Sequence, residues 1–148
     1  MKELSEKTVL ALYAMHFMLR KRKPASLGEI LRSGRFARDQ ARAVLGKLRN
    51  GGLVRTGSGR GYVLAKAPGE ISVLDVVHAV DPLKPPGAPC GGDYDACDVR
   101  ATCLLAPLCR SAEQAFQKSL HEFTLEDLAD VSVDLPGCLD PDLRNRAS

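Results

Sequence analysis

Four of the five cysteines in this 148-residue chain fall within one 20-residue stretch, at Cys90, Cys97, Cys103 and Cys109. Five residues separate Cys97 from Cys103, and five separate Cys103 from Cys109. A step of six residues turns about 600° on an α-helix, so these side chains cannot share one helical face. They converge only where the chain curls around something. Thiolates bind soft metals and iron–sulfur clusters, which makes such a core the natural occupant. Structural zinc sites pair cysteines two to four residues apart, and this spacing lacks such pairs. It also departs from the ferredoxin pattern, which sets electron carriers aside. Pro107 suits the first turn of a helix and places Cys109 in that turn, where free N–H groups and the helix dipole favour a thiolate. Asp93, Asp95 and Asp98 add charge that solvates the stretch. Cys138 stands alone in a tail rich in Pro, Asp and Arg and reads as a plain thiol. In a reducing cytoplasm this clustering favours a metal or redox site over a disulfide framework. The bland alternative is a loop of free thiols.

The second chemistry-bearing group is basic. The net charge of +3 hides a division: residues 1–66 carry 15 Lys/Arg against 4 Asp/Glu, and residues 67–148 carry 6 against 14. A basic half beside an acidic half points to a nucleic-acid surface. Arg38, Asp39 and Arg42 can share an outward helical face, with Arg pairing bidentately to guanine and Asp accepting from cytosine. Gln40 addresses adenine if that helix is rotated slightly. Arg60, in the run Gly57-Ser58-Gly59-Arg60-Gly61, can enter a minor groove or lie along phosphates, and Arg55 belongs to the same hairpin. Lys47, Arg49 and the run Arg20–Lys23 are phosphate contacts or solvated charges. No phosphate loop or nucleophile–base signature is present, and His16, His78 and His121 lie on separate elements, so the chain does not read as an enzyme.

These residues need elements to position them. Ser5 can cap a helix running to about Arg22, ahead of Pro24. Ser26-Leu27-Gly28-Glu29 reads as a capping box for a short second helix, Leu27 to Ser33. A third helix, about Ala37 to Asn50, has Ala41, Val44, Leu45 and Leu48 inward and ends at Gly51-Gly52. Phe36 reads as a core residue at the turn before it. Leu53–Thr56 and Tyr62–Leu64 read as strands flanking the glycine-rich tip. Helix, helix, helix, two-stranded wing is the layout of a winged helix-turn-helix. Ser72 can cap a fourth helix to about Val80. A Pro/Gly-rich loop, Asp81 to Ala106, leads to a long helix ending near Phe123, and Thr124 opens a last short helix. Trp is absent and aromatics are 5% of the chain, so the core rests on aliphatic residues. No stretch reaches the roughly 20 apolar residues a membrane span needs. The charged start is not a signal peptide, so a cytoplasmic location is expected.

Taken together these parts resemble the Rrf2 family of bacterial winged-helix, iron–sulfur transcription regulators, over about residues 2–133. The resemblance rests on Leu4-Ser5, on Ser26-Leu27-x-Glu29-Ile30, and on Leu45-x-Lys47-Leu48-Arg49-x-Gly51-Gly52-Leu53-Val54. It continues through Gly61-Tyr62-Val63-Leu64-Ala65, the evenly spaced Cys97, Cys103 and Cys109, and Thr124-Leu125-x-Asp127-Leu128. It implies a homodimer built mainly on the long helix, and a [2Fe–2S] or [4Fe–4S] cluster sensing iron, nitric oxide or redox state. Members with three cysteine ligands add a histidine three residues after the last cysteine, or an acid from the partner's first helix. Here those places hold Ala112 and, approximately, Val9. Cys90 is therefore the leading fourth ligand, and an all-thiolate set suits [4Fe–4S]. His16 or Glu6 of the partner chain stand behind it, although His16 fits an interface or core role better.

The expected organisation is a mainly α fold: residues 1–66 a winged helix-turn-helix, 67–135 the cluster loop and dimerisation helices, 136–148 a flexible tail. The expected function is a DNA-binding regulator controlled by the cluster and acting on a partly palindromic site in double-stranded DNA. A cluster-free thiol switch or a zinc-binding repressor is the alternative.

Overall fold

Three of the chain's Ser/Thr-x-x-acid runs close into reciprocal hydrogen-bonded boxes in the computed structural model, which describes residues 4–21, 23–34, 36–82 and 102–129. Helix α1 (Glu6–Arg20) starts at Ser5, whose hydroxyl accepts the Thr8 amide at 3.2 Å. Helix α2 (Leu27–Gly34) starts at Ser26: the Glu29 carboxylate accepts from the Ser26 amide at 2.8 Å, and the Ser26 hydroxyl accepts from the Glu29 amide at 3.3 Å. Each box satisfies two of the N–H groups that a helix start leaves unpaired.

Helix α3 (Arg38–Asn50) lacks a side-chain cap at Ala37 but is firmly closed at its end. Gly52 takes the left-handed conformation, φ 71°, so its amide reaches Arg49 O at 3.0 Å and the Leu53 amide reaches Leu48 O at 3.0 Å. Leu48 and Leu53 are both buried in the core, the apolar contact that accompanies this stop. The chain then enters β1 (Val54–Thr56) and returns as β2 (Tyr62–Leu64), antiparallel, with Val54 opposite Leu64 and Thr56 opposite Tyr62. On β2's other edge, Ala25 and Tyr62 exchange two backbone bonds of 2.9 and 2.7 Å, so the wing is sewn to the segment between α1 and α2.

Helix α4 (Val73–Val80) begins at the Ser72/Asp75 box, and α5 (Ala106–Glu122) follows the cysteine region. The end of α5 is stitched to the start of α4 by Val73 N to Phe123 O, 2.8 Å, and Leu125 N to Ile71 O, 3.0 Å. Leu10, Met15, Ile30, Leu48, Val76 and Leu125 meet in one core, so α1, α2, α3, α4 and the segment after α5 share a centre. The fold is mainly helical with a two-stranded antiparallel sheet, as the sequence implies.

Three details depart from expectation. α1 ends at Arg20, with Lys21 as its extended C-cap, two residues before Arg22. Ser58–Arg60 at the wing tip forms a 3-10 turn. Residues after Thr124 make turns, not a helix: the Thr124/Asp127 box forms, but the amides of Leu128 and Ala129 bond only three residues back. The tail 136–148 lies outside the described residues.

Candidate nucleic-acid interface and cysteine centre

Helix α3 buries Ala41, Val44, Leu45 and Leu48 and leaves Arg38, Asp39, Gln40, Arg42, Ala43, Arg49 and Asn50 exposed. At 100° per residue, Arg38, Arg42 and Arg49 fall within about 40° of one another on one flank, while Asp39, Ala43, Gly46 and Asn50 form the outermost strip. Nothing lies within 4 Å of where a Gly46 side chain would start. The strip is therefore low in relief, and a base edge can approach the backbone closely. Arg38, Asp39 and Arg42 thus share one exposed side of α3. Gln40 stands on the opposite flank, where it lines a cleft of about 440 Å³ with Ser5, Glu6, Leu10, Lys47 and Asp81.

Lys47, read from sequence as a phosphate contact or solvated charge, has a structural role. Its Nζ donates to Val80 O at 2.8 Å and so caps the last turn of α4. The join is tight, because a side chain at Gly51 would meet Ala79 Cβ at 2.9 Å. Helix α4 packs on α3 and also on α5, so α3 and the cysteine-bearing α5 share one neighbour.

In the wing, Arg55 and Arg60 are exposed. Gly59 and Arg60 are both left-handed, at φ 72° and 62°. For glycine this is free; for arginine it is a disfavoured conformation that the surrounding structure must hold.

Cys103 and Cys109 are the cysteines among the described residues; Cys90, Cys97 and Cys138 lie outside them. Both are half-buried free thiols at the start of α5: the Ala106 amide bonds Cys103 O at 3.3 Å, and Cys109 is the fourth helical residue. Cys109's own amide is bonded to Leu105 O at 3.0 Å. Cys109 lies on the same side of α5 as the half-buried Glu113, Phe116 and Leu120. Among the described residues no three His, Cys, Asp or Glu side chains gather as a metal site. Two soft donors at one helix start suit a thiolate-ligated group whose remaining ligands come from elsewhere.

Of the reserve ligands, Glu6 is exposed beside the cleft. His16 is only 9% exposed within its own chain, and its Nε2 is buried without a hydrogen-bond partner among the described residues. That nitrogen is not offered to a partner chain, so His16 is a core residue. The three carboxylates in the capping boxes are perturbed. Lys21, together with the Ser26 amide and hydroxyl, draws Glu29 from 4.5 to about 2. Burial raises Asp75, but the Ser72 amide and hydroxyl outweigh it and leave the carboxyl below its usual range; the Thr124 amide and hydroxyl likewise lower Asp127.

A basic helix with a low, exposed outer strip, flanked by a cationic wing, defines a winged-helix DNA-binding transcription regulator. The chain matches the Rrf2 family of iron-dependent transcriptional regulators over residues 4–131 and belongs to it. It is 29% identical over 108 residues to the protein rrf2 of Nitratidesulfovibrio vulgaris, covering 72% of this chain and 71% of that one. Among solved structures it is similar to CymR, the global cysteine regulator of B. subtilis, at 26% identity and TM-score 0.72, covering 90% of this chain and all of that one. The fold is also that of T. potens IscR, with 21% identity, TM-score 0.67, and coverage of 86% and 85%. No described helix is long and apolar enough to cross a membrane.

Proposed function

We propose that this regulator binds operator DNA as a homodimer and that its affinity is set by an iron–sulfur cluster held by Cys97, Cys103, Cys109 and Cys90. The observation that carries the reading is the pair of free, half-buried thiols at the head of a helix that packs on α4, which in turn packs on α3. Support also comes from the family description as iron-dependent regulators and from the shared fold of IscR. When bound, the cluster supplies a redox- and nitric-oxide-reactive centre; an all-thiolate ligand set favours [4Fe–4S] over [2Fe–2S].

The chain's own residues do the rest. Cys103 and Cys109 would hold the cluster at the start of α5. A change in how α5 sits is passed to α4, whose end is anchored to α3 by Lys47. Arg38, Asp39 and Arg42 read base edges in the major groove, Arg60 holds the wing on the backbone or in the minor groove, and Gln40 contributes only if α3 turns toward its flank. In a dimer the two α3 helices enter successive major grooves about 34 Å apart. By linkage, DNA affinity changes only as far as the cluster favours one arrangement of α5 over another. In this reading residues 1–66 form the DNA reader and 67–135 the sensing and pairing region.

The dimer surface in this reading is the outer side of α5. Only Ala106 of its 17 residues is buried in the single chain. Leu104 is 89% and Leu108 66% exposed, and the exposed Leu105, Leu108, Ala112, Ala115 and Ser119 recur at heptad spacing. Small residues at Ala112, Ala115 and Ser119 allow a second helix to approach closely.

Anaerobic purification tests the cluster. The chain should be brown and contain iron and acid-labile sulfide, and Cys103→Ala and Cys109→Ala should each abolish the colour while leaving a folded dimer. Unchanged spectra in Cys90→Ser would remove Cys90 from the ligand set. A preparation free of iron and sulfide after reconstitution would overturn the reading, in favour of a zinc site if zinc is stoichiometric, or of a thiol switch if mild oxidation yields a reversible disulfide.

A further inference from the structure

Two wing glycines have no backbone reason to be glycine. Gly57 sits at φ −88°, ψ −174° and Gly61 at φ −83°, ψ 164°, extended conformations open to any residue. Pro24 excludes a side chain at Gly61 and, with Val63, crowds one at Gly57. A Cβ on Gly61 would lie 2.6 Å from Pro24 Cβ and 3.0 Å from Pro24 C, and one on Gly57 would lie 3.0 Å from Pro24 Cγ. The two glycines flank the tip and are joined by the Gly57 N to Gly61 O bond of 2.7 Å, which pinches the hairpin shut behind Gly59 and Arg60. The next residue along from each partner is also tied, by the two Ala25–Tyr62 backbone bonds.

We infer that Pro24 is a positioning residue for DNA binding: packed between Gly57 and Gly61, it fixes the wing and holds Arg60 in its left-handed conformation toward the nucleic acid. An arginine at φ 62° persists only where neighbours over-determine it. The Pro24 packing, the 2.7 Å pinch and the Ala25–Tyr62 ladder supply that constraint. Proline suits the task because its ring has one fixed shape and lends the contact little side-chain freedom. The inference rests on the reading of Arg60 as a DNA contact.

The test uses the full chain and the duplex that the wild type selects from a random-sequence pool. Affinity is measured across a salt series for Arg60→Ala, Gly61→Ala and the double variant. Arg60→Ala should weaken binding by roughly tenfold per wing and make the log–log salt dependence shallower by about one per wing. Gly61→Ala, with an unchanged circular dichroism spectrum and a cooperative melt, should reproduce both effects, and the double variant should bind no worse than Arg60→Ala alone. Wild-type binding by Gly61→Ala, or losses that multiply in the double variant, would overturn the positioning role while leaving the Arg60 contact intact. A silent Arg60→Ala would overturn the contact and the positioning role together. If Gly61→Ala does not fold, Pro24→Ala takes its place, since it trims the ring without forcing a clash. It should weaken binding by a smaller factor in the wild type and by none in Arg60→Ala; wild-type binding by Pro24→Ala would equally overturn the role.

Discussion

Glu29 shows how much one exposed side chain can organise. Its carboxylate receives the Ser26 amide and hydroxyl at 2.8 and 2.9 Å and pairs with Lys21, so the end of α1 and the start of α2 are held on either side of Pro24 and Ala25. Its pKa is drawn down from 4.5 to about 2 on folding, so the folded state binds a proton less readily than the unfolded chain. The stabilisation is therefore complete above about pH 4.5 and is lost as pH falls toward about 2. The melting temperatures of wild type and Glu29→Gln should differ at pH 6, converge below pH 4.5, and coincide near pH 2; a gap constant across that range would show that the carboxylate is not the stabilising species. In the proposed function the arginines divide by role. Arg38→Ala should cost about 1–3 kcal/mol of discrimination between the selected and a scrambled duplex. Arg60→Ala should instead weaken both alike. Loss of discrimination on removing Arg60 and not Arg38 would reverse the assignment of reader and anchor.

Elements of this chain are legible in sequence because their boundaries are local. Ser5, Ser26 and Ser72 each start a helix within hydrogen-bonding reach of a residue three positions on, and Gly51-Gly52 stops α3 by a motif contained in six residues. Burial of Ala41, Val44, Leu45 and Leu48 follows directly from their helical spacing. What was not legible is long-range. Pro24 reads as a helix stop, and only the returning β2 reveals it as the ring that excludes a side chain at Gly61 and crowds one at Gly57. Lys47 reads as surface charge until Val80 O, 33 positions away, comes within 2.8 Å. Thr124-Leu125-Glu126-Asp127 carries a helix-start signal and its box forms, yet the amides of Leu128 and Ala129 bond only three residues back and the segment stops at turns. The start of α5 falls where Pro107 suggested, and of the four proposed ligands Cys90 and Cys97 lie outside the described residues. The box at α4 can be tested directly. Ser72→Ala removes the acceptor of the Asp75 amide and the hydroxyl that bonds its carboxylate, and Ser72 is 5% exposed. Chemical denaturation should show a loss of about 1 kcal/mol at neutral pH. Because the Asp75 carboxyl is lowered by Ser72, that loss should shrink as the medium is acidified through the carboxylate range. An unchanged midpoint would mean the backbone alone starts this helix.

At the scale of the whole molecule, α4 connects the two surfaces that the proposed function uses. The side of α3 opposite its buried face is polar and exposed, and the head of α5 is apolar and exposed; α4 touches both helices. In the proposed dimer, like-charged halves of the two copies repel, so the pairing calls for apolar contact where the charges are sparse. The head of α5 meets that condition, with Leu104, Leu105 and Leu108 exposed before the first charged residue of the helix, Arg110. Fully burying a leucine contributes about 1.5–3 kcal/mol. Three of them on each of two chains would supply a substantial part of the proposed dimer interface. Leu108→Glu puts a charge on that face without touching a buried position, since Leu108 is 66% exposed in the single chain. The folded monomer should therefore keep its melting temperature at low concentration, whereas the dimer dissociation constant, read by analytical ultracentrifugation, should rise roughly a hundredfold or more. Binding to a two-half-site duplex should fall with it, because the second reading helix is then no longer tethered, while binding to a single half-site should persist. A dimer that survives Leu108→Glu unchanged would place the pairing surface elsewhere and leave the exposed leucines at the head of α5 without a role in assembly.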